Sequence, residues 1–229
     1  SSPNITTDTS KPVSFRNGDA LNTDNVLVIE NIAGTTTATI DGAGLLTTED
    51  LRVNDTTVHV GFQAGLTSQG TLTVAVGNDA GTTSQGANSV AIGNLAGNSA
   101  QSAQSVAIGD TAGETAQDIL SVAIGPISGN SSQGSRSVAI GSDTGTLTQG
   151  YNAVAIGSTA GKSNQGNITV AIGSAAGRTS QGDNSVAMGN HAGNDTQGSE
   201  AVSIGDNAGQ ISQGTLSVAI GASAGQTTQ

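Results

Sequence analysis

Apolar residues recur with a period of 16 across most of the chain, and no insertion interrupts the pattern. Val-x-Ile-Gly, with Val or Met replacing Ile in a few copies, begins at Val58 and at every sixteenth residue as far as Val218. Large and small residues alternate within this motif, which is the period-two pattern of a β-strand. Eleven such copies predict one supersecondary unit stacked many times rather than an ordinary globular domain.

Two further constant positions complete the repeat. A second glycine follows the first by four residues, as in Gly93 and Gly97, and a glutamine follows four residues later, as in Gln101. Asn, Asp and Ser are frequent after the first glycine, where they favour turns. Each repeat is therefore predicted to form one coil of two short strands and two turns, with successive coils about 4.8 Å apart.

These positions predict an all-β fold, a parallel β-solenoid (β-roll) with 16 residues per coil and about 11 coils, over residues 58–229. A helical array is excluded because glycine costs about 1 kcal/mol per residue in a helix interior. Residues 1–57 do not repeat and are predicted to form a β-rich cap or adaptor, with strand candidates at 25–29, 35–40 and 45–53 and a turn at 41–44. The chain starts at Ser1 and stops at the glutamine of a repeat, so we expect it to be a piece of a longer protein.

The alternation assigns a role to each constant position. Val and Ile share one face of the strand, and we expect that face to fill the narrow interior of the coil. The predicted core comprises Val90, Ile92, Val106, Ile108, Val138, Ile140, Val170 and Ile172. Glycines that never vary indicate positive φ or a crowded backbone, which predicts turns at Gly93, Gly97, Gly109, Gly113, Gly141 and Gly173. Stacked glutamines form amide ladders in cross-β structures, which predicts a ladder through Gln85, Gln101, Gln133, Gln165 and Gln197.

The middle residue of the strand points away from Val and Ile. It is alanine in nine of the eleven copies, whereas the position two residues before Val varies freely. A small residue kept on an outer face suggests the close approach of another chain, although alanine could also simply suit a crowded pleat. The predicted chain–chain interface comprises Ala91, Ala107, Ala139, Ala171 and Ala187.

The freely varying position contains one regularity. Leu72, Leu120, Ile168 and Leu216 occupy it at intervals of 48 residues, and the other copies carry polar residues there. This spacing fits either an apolar stripe with a three-coil pitch or duplication of the chain in blocks of three repeats. We favour duplication as the explanation at this point.

Composition and charge exclude several classes of function. The net charge is −11, with 17 acidic and 6 basic residues, and no basic patch indicates binding to nucleic acid or to an anionic membrane. The chain has no cysteine and no apolar run long enough for membrane insertion. His59 and His191 lie far apart, and the carboxylates form no column, so we expect no metal site, no cofactor and no catalytic residues.

The motif Ser-Val-Ala-Ile-Gly with a following Ala-Gly resembles the head repeats of trimeric autotransporter adhesins, the YadA-like heads. Its first five residues begin at Ser89, Ser105, Ser137 and Ser217, and with Met188 in place of Ile at Ser185. The resemblance implies a left-handed β-roll, three chains packed side by side and binding to a host surface. The repeat of that family is shorter, and the 16-residue form, with the leader 40–53, is also similar to repeats in fibre or spike proteins of bacteriophages and large DNA viruses.

The sequence thus favours a structural and adhesive fibre segment on a virion, which is a rigid homotrimeric spacer rather than an enzyme. The expected partners are two further copies of the chain, an unknown host-surface receptor (a glycan or a protein), and other fibre or virion proteins at the ends. The expected location is extracellular, on a virion surface or on a bacterial outer surface. The alternatives are the head of a bacterial trimeric autotransporter adhesin and, less well supported, an ice-binding β-solenoid, which would need an uninterrupted Thr array.

Overall fold

The computed structural model describes residues 27–30, 36–40, 46–48 and 57–228. The contacts divide the chain into two units, residues 1–54 and 55–229. In the first unit β1 (Leu27–Glu30), β2 (Thr36–Ile40) and β3 (Leu46–Thr48) form an antiparallel sheet in the order β1-β2-β3. All three strands lie within or beside the predicted segments, and the cap function stays a prediction. The predicted turn at 41–44 lies outside the described residues.

The second unit is an all-β parallel β-solenoid of about ten turns that follow one another at intervals of 16 residues. Its first sheet has eleven parallel strands, which pair in register so that Val122 lies opposite Val138 and Ala123 opposite Ala139. The strands are β4 (Thr57–Val60), β5 (Thr73–Val76), β6 (Val90–Ile92), β8 (Val106–Ile108), β10 (Val122–Ile124), β12 (Val138–Ile140), β13 (Val154–Ile156), β15 (Val170–Ile172), β17 (Val186–Met188), β19 (Val202–Ile204) and β21 (Val218–Ile220).

The second sheet is formed by the three residues that end at each glutamine, and it has two parts. Isolated bridges from Gln133 to Gln149 and from Gln149 to Gln165 connect the parts. The first part contains β7 (Ser99–Gln101), β9 (Thr115–Gln117) and β11 (Ser131–Gln133). The second part contains β14 (Ser163–Gln165), β16 (Thr179–Gln181), β18 (Asp195–Gln197) and β20 (Ile211–Gln213).

The interior of the coil is lined by alanine, so the predicted orientation of the first sheet is wrong. Ala139 is completely buried, whereas Ile92 is 37% exposed. An ideal Cβ placed on Gly97 would lie only 3.3 Å from Ala91 Cβ, so the interior is about one small side chain wide and cannot hold Val or Ile. The residues wrongly assigned to the core are Val90, Ile92, Val106, Ile108, Val138, Ile140, Val170 and Ile172, which all lie on the outer side.

Glutamine fills the rest of the interior. Gln133 is 1% exposed, and its Nε2 donates to the carbonyl oxygen of Val122 on the facing strand of the same coil at 2.8 Å. The equivalent bond recurs in every coil from Gln85 to Gln213. The amides therefore hold the two sheets of each coil together.

The predicted glutamine ladder is stacked in register but is bonded mainly across the coil. Among the described residues, amide-to-amide bonds join Gln101 to Gln117 at 3.0 Å and Gln165 to Gln181 at 3.3 Å. Gln85, Gln133 and Gln197, which belong to the same prediction, use their amide hydrogens for backbone carbonyls instead. The side-chain oxygens of Gln85, Gln133 and Gln197 are buried without a hydrogen-bond partner, so these amides do not form a continuous ladder.

The two glycine columns have different physical causes. Gly93 has φ of 132°, and a Cβ there would lie 2.4 Å from the carbonyl oxygen of Gly109 in the next coil, so the stacking itself requires glycine. Gly97 has φ of 52°, and a Cβ there would lie 2.8 Å from Gln101 Oε1. All six glycines predicted to form turns have positive φ: Gly93, Gly97, Gly109, Gly113, Gly141 and Gly173.

A Ser or Thr precedes Val in most coils, where it is usually buried and its hydroxyl is satisfied locally. Thr169 Oγ1 donates to the carbonyl oxygen of Gly166 at 2.9 Å, and Ser137 makes the same bond to Gly134. The hydroxyl lies inside the coil without an unsatisfied donor, which explains why the position before Val accepts Ser and Thr so readily. Within the described residues there is no helix, and hence none that could span a membrane.

Candidate interaction surface

The outer face of the first sheet carries an unbroken apolar stripe of Val and Ile side chains. Val residues of the stripe are mostly half-buried, while Ile156 and Ile204 are 36% and 37% exposed. Ten steps of about 4.8 Å between eleven strands make the stripe about 48 Å long. Scattered exposed apolar residues need no explanation, whereas continuous exposed apolar patches are typical of surfaces that bind other molecules. We call it the Val/Ile stripe.

The predicted interface at the alanine column is wrong for the same reason as the predicted core. The alanines face the interior, where no other chain can reach them, and their small size reflects the width of the coil. The residues concerned are Ala91, Ala107, Ala139, Ala171 and Ala187, all with no exposed surface. The constancy of this column was a sign of the core and not of an interface.

The outer face of the second sheet is mainly polar. Its first column carries Ser or Thr in most coils, such as Thr83, Thr115 and Ser131. Leu147 and Ile211 interrupt this column and are 52% and 44% exposed. This face therefore offers no continuous apolar surface, and its hydroxyl array is broken.

The turns that flank the Val/Ile stripe hold residues in the left-handed conformation. The turn at the amino-terminal end of each strand places the residue two before Val at φ near 58°, as in Asn88, where asparagine is favoured. The turn at the carboxy-terminal end carries side-chain ladders, in which Asn78 donates to Asn94 at 3.1 Å and Asn94 donates to Asp110 at 2.8 Å. Both columns of turns lie at the surface, beside the stripe.

Four apolar residues stand in the first of these turns. Leu72, Leu120, Ile168 and Leu216 have φ between 56° and 61° and are 61%, 42%, 51% and 70% exposed. A residue with a Cβ costs roughly 1–2 kcal/mol in this conformation, and a β-branched residue such as Ile168 is an outlier there. These side chains are therefore both solvated and strained in the single chain. We call them the knob residues.

Polar and titratable groups do not gather into a chemical centre. His59 Nε2 lies 3.5 Å from the Thr73 hydroxyl, and Lys162 forms an ion pair with Asp143. Within residues 57–228 no group of three or more His, Asp or Glu side chains is arranged to hold a metal ion. An open hollow of about 400 Å³ on the second sheet is lined by Ala100, Ser102, Ala116, Gln117, Asp118, Ser132, Gln133 and Gly134.

The sequence contained a signal for the true orientation. The Ser or Thr before Val alternates with the alanine two residues later, and both are small; this pattern marks the side that must fit a narrow interior. Comparison with protein-family models, with curated proteins and with solved structures finds no match to this chain, so its function is argued from its geometry.

Proposed function

We propose that this chain is a segment of a structural and adhesive fibre on a virion, in which three copies pack side by side into a rigid spacer. The observation that carries the proposal is the Val/Ile stripe. The alanine and glutamine interior of the coil is closed without these side chains, so much of their apolar surface stays exposed in one chain. A partner that covers the stripe would bury this apolar surface and remove it from water.

The best partner for the stripe is another copy of the chain. A covering surface must present apolar groups at the same spacing of about 4.8 Å over about ten coils. The stripe itself meets that requirement along its whole length. Three stripes can face one common axis and bury one another, and the resemblance to trimeric adhesin heads favours this number.

The rod would act through its length and stiffness. Every coil is hydrogen-bonded to its neighbours and is closed by a buried glutamine, so bending would break the same contacts in every coil. The outer columns of the second sheet vary from coil to coil and would face outward in such an assembly, so we place contact with a host receptor there. The head of a bacterial trimeric adhesin would use the same geometry and remains the alternative.

Light scattering coupled to size-exclusion chromatography tests the proposal. The parent chain should elute with a mass of three times 22.1 kDa, or about 66 kDa. The variant I108N/I140N/I172N should be a monomer that keeps the circular dichroism of the parent, because all three side chains lie outside the coil. The matched control L147N/I211N changes exposed apolar residues of the second sheet and should stay trimeric. A parent mass of 22.1 kDa at micromolar concentration would contradict the proposal.

A further inference from the structure

A stack of identical coils has a register problem if its copies associate. The Val/Ile stripe looks the same at every coil, so two copies could slide along each other by one coil and bury almost the same surface. Identical repeats specify register only weakly for this reason. Something that differs from coil to coil must fix the axial position if the assembly is to be unique.

The knob residues have the spacing that such a device needs. Leu72, Leu120, Ile168 and Leu216 occur at every third coil, and the coils between them carry polar residues at the same position. The knob residues stand beside the stripe, with one residue between each knob and the next Val, and this residue is buried after Leu72, Leu120 and Ile168. Their side chains are exposed, and their backbones adopt a conformation that would suit asparagine better.

Duplication in blocks of three explains the spacing but not the residue type. Asn88, Asn152 and Asn184 show that the position accepts asparagine, which tolerates this conformation. A surface turn free of any partner would gain from exchanging leucine for asparagine at every knob. Every coil contains residues in this conformation, so the distinctive feature of the knobs is an exposed apolar side chain at a fixed spacing. Such side chains point to a contact that the single chain does not contain.

The opposite flank of the stripe lacks its polar side-chain group at two of the four knob coils. The residue after the first glycine is mostly Asn, Asp or Ser, and the Asn and Asp residues are joined in ladders. From residue 78 to residue 222, Pro126 and Ala222 are the members of this column that carry no polar side-chain group. Pro126 belongs to the coil of Leu120, and Ala222 belongs to the coil of Leu216. Ser174 shares a coil with Ile168, whereas Asn78 shares one with Leu72 and keeps a polar turn.

We infer that the knob residues set the axial register between neighbouring copies of this chain, an inference that rests on the proposed side-by-side assembly. Around a three-fold axis, the amino-terminal flank of one stripe meets the carboxy-terminal flank of the next at the same level. Leu120 of one copy then packs on Pro126 of its neighbour, and Leu216 packs on Ala222. A slip by one coil would press the knobs onto polar turns such as Asp110 and Asp206.

Disulfide reporters can read this register, because the chain contains no cysteine. Arg136 and Ser142 are exposed on opposite flanks of one coil, so R136C/S142C can cross-link neighbours that are in register. Ser158 is the equivalent of Ser142 in the next coil, so R136C/S158C cross-links neighbours only after a slip of one coil. Within one chain both pairs are separated by the width of the sheet, well beyond the Cα separation of a disulfide.

The test introduces each reporter into the parent, into the knob variant L72N/L120N/I168N/L216N, and into the control L147N/I211N. In the parent and the control, the in-register pair R136C/S142C should give covalent trimers on a non-reducing gel. The slip pair R136C/S158C should give no more than background cross-linking. In the knob variant, covalent dimers from the slip pair should rise at least several-fold while light scattering still shows association through the stripe.

The outcomes separate this inference from the proposed function. A slip signal that stays at background in the knob variant overturns the register role and leaves the trimer intact. A trimeric parent whose in-register pair does not cross-link overturns the pairing of the two flanks. A monomeric parent overturns both the proposed function and the inference that rests on it.

Discussion

The two sheets of the solenoid fill the interior of the coil with different chemistry and present opposite surfaces outside. The first sheet buries alanine and exposes Val and Ile, and its eleven strands run without a break. The second sheet buries glutamine, exposes mainly hydroxyl and amide groups, and is divided near Gln149. The difference shows that size and hydrogen bonding select the inner residues of both sheets. The outer residues are not limited by the narrow interior, and they are apolar on the first sheet and mainly polar on the second.

The largest expected effect comes from placing a charge in the glutamine column. Gln133→Glu removes the donor to the Val122 carbonyl and leaves a carboxylate without a partner in the interior, so we expect a loss of about 3 kcal/mol or more in the free energy of unfolding at pH 7. Urea unfolding followed by circular dichroism measures it. The control Thr148→Glu adds the same charge on the exposed side of this sheet and should change stability by less than about 0.5 kcal/mol.

The same variant has a predicted pH dependence. Burial raises the pKa of the new carboxyl above its unfolded value of about 4.3, and its protonated form can donate to the Val122 carbonyl again. The stability of Gln133→Glu relative to the parent should therefore be best below pH 4 and should decline as the pH rises. The account would be contradicted if the stability difference between Gln133→Glu and the parent did not vary with pH, or if Thr148→Glu lost as much free energy of unfolding. Either result would show that the glutamine column is not the closed interior of the coil.

A much smaller effect, of opposite sign, is expected at the turns that join the two sheets. Thr159 is β-branched and has φ of 56°, so Thr159→Asn should relieve strain and raise the free energy of unfolding by roughly 0.5–1 kcal/mol. Thr115→Asn in the second sheet is the control, because a strand favours threonine and the change should be neutral or slightly destabilising. Thermal unfolding at one protein concentration compares the two, and a loss of stability in Thr159→Asn would contradict the strain argument.

The period and the turn glycines were predictable, whereas the orientation of the strand was not. The 16-residue spacing alone predicts parallel, in-register coils, because each coil can only pair with its neighbour. Alternation in Val-Ala-Ile separates two faces of the strand but does not say which face is inside, and the usual preference for burying large apolar residues gives the wrong answer here. The width of the interior decides which face of the strand points inward. That width depends on residues in the other half of the coil, such as Gly97 and Gln101.

The surface was harder to predict than the fold. The knob residues were visible as a 48-residue spacing, but their meaning depends on the backbone conformation of Leu72 and its equivalents, which no residue pattern states. The glutamine bonds show a similar limit. Stacked amides suggested a ladder, whereas the carbonyl of the facing strand, which is fixed by the length of the coil, competes for the same hydrogens.

Unfolding of two variants of neighbouring residues, Ala139→Asn and Ile140→Asn, tests the central claim most directly. Both place the same polar side chain in the same strand, one inside the coil and one on the Val/Ile stripe. We predict that Ala139→Asn loses about 3 kcal/mol or more at every protein concentration, because a larger polar group must enter a filled interior. Ile140→Asn should lose less, and its deficit should shrink on dilution as the parent itself dissociates. A larger loss for Ile140→Asn than for Ala139→Asn at low concentration would contradict the account, since it would place the Val and Ile side chains inside the coil.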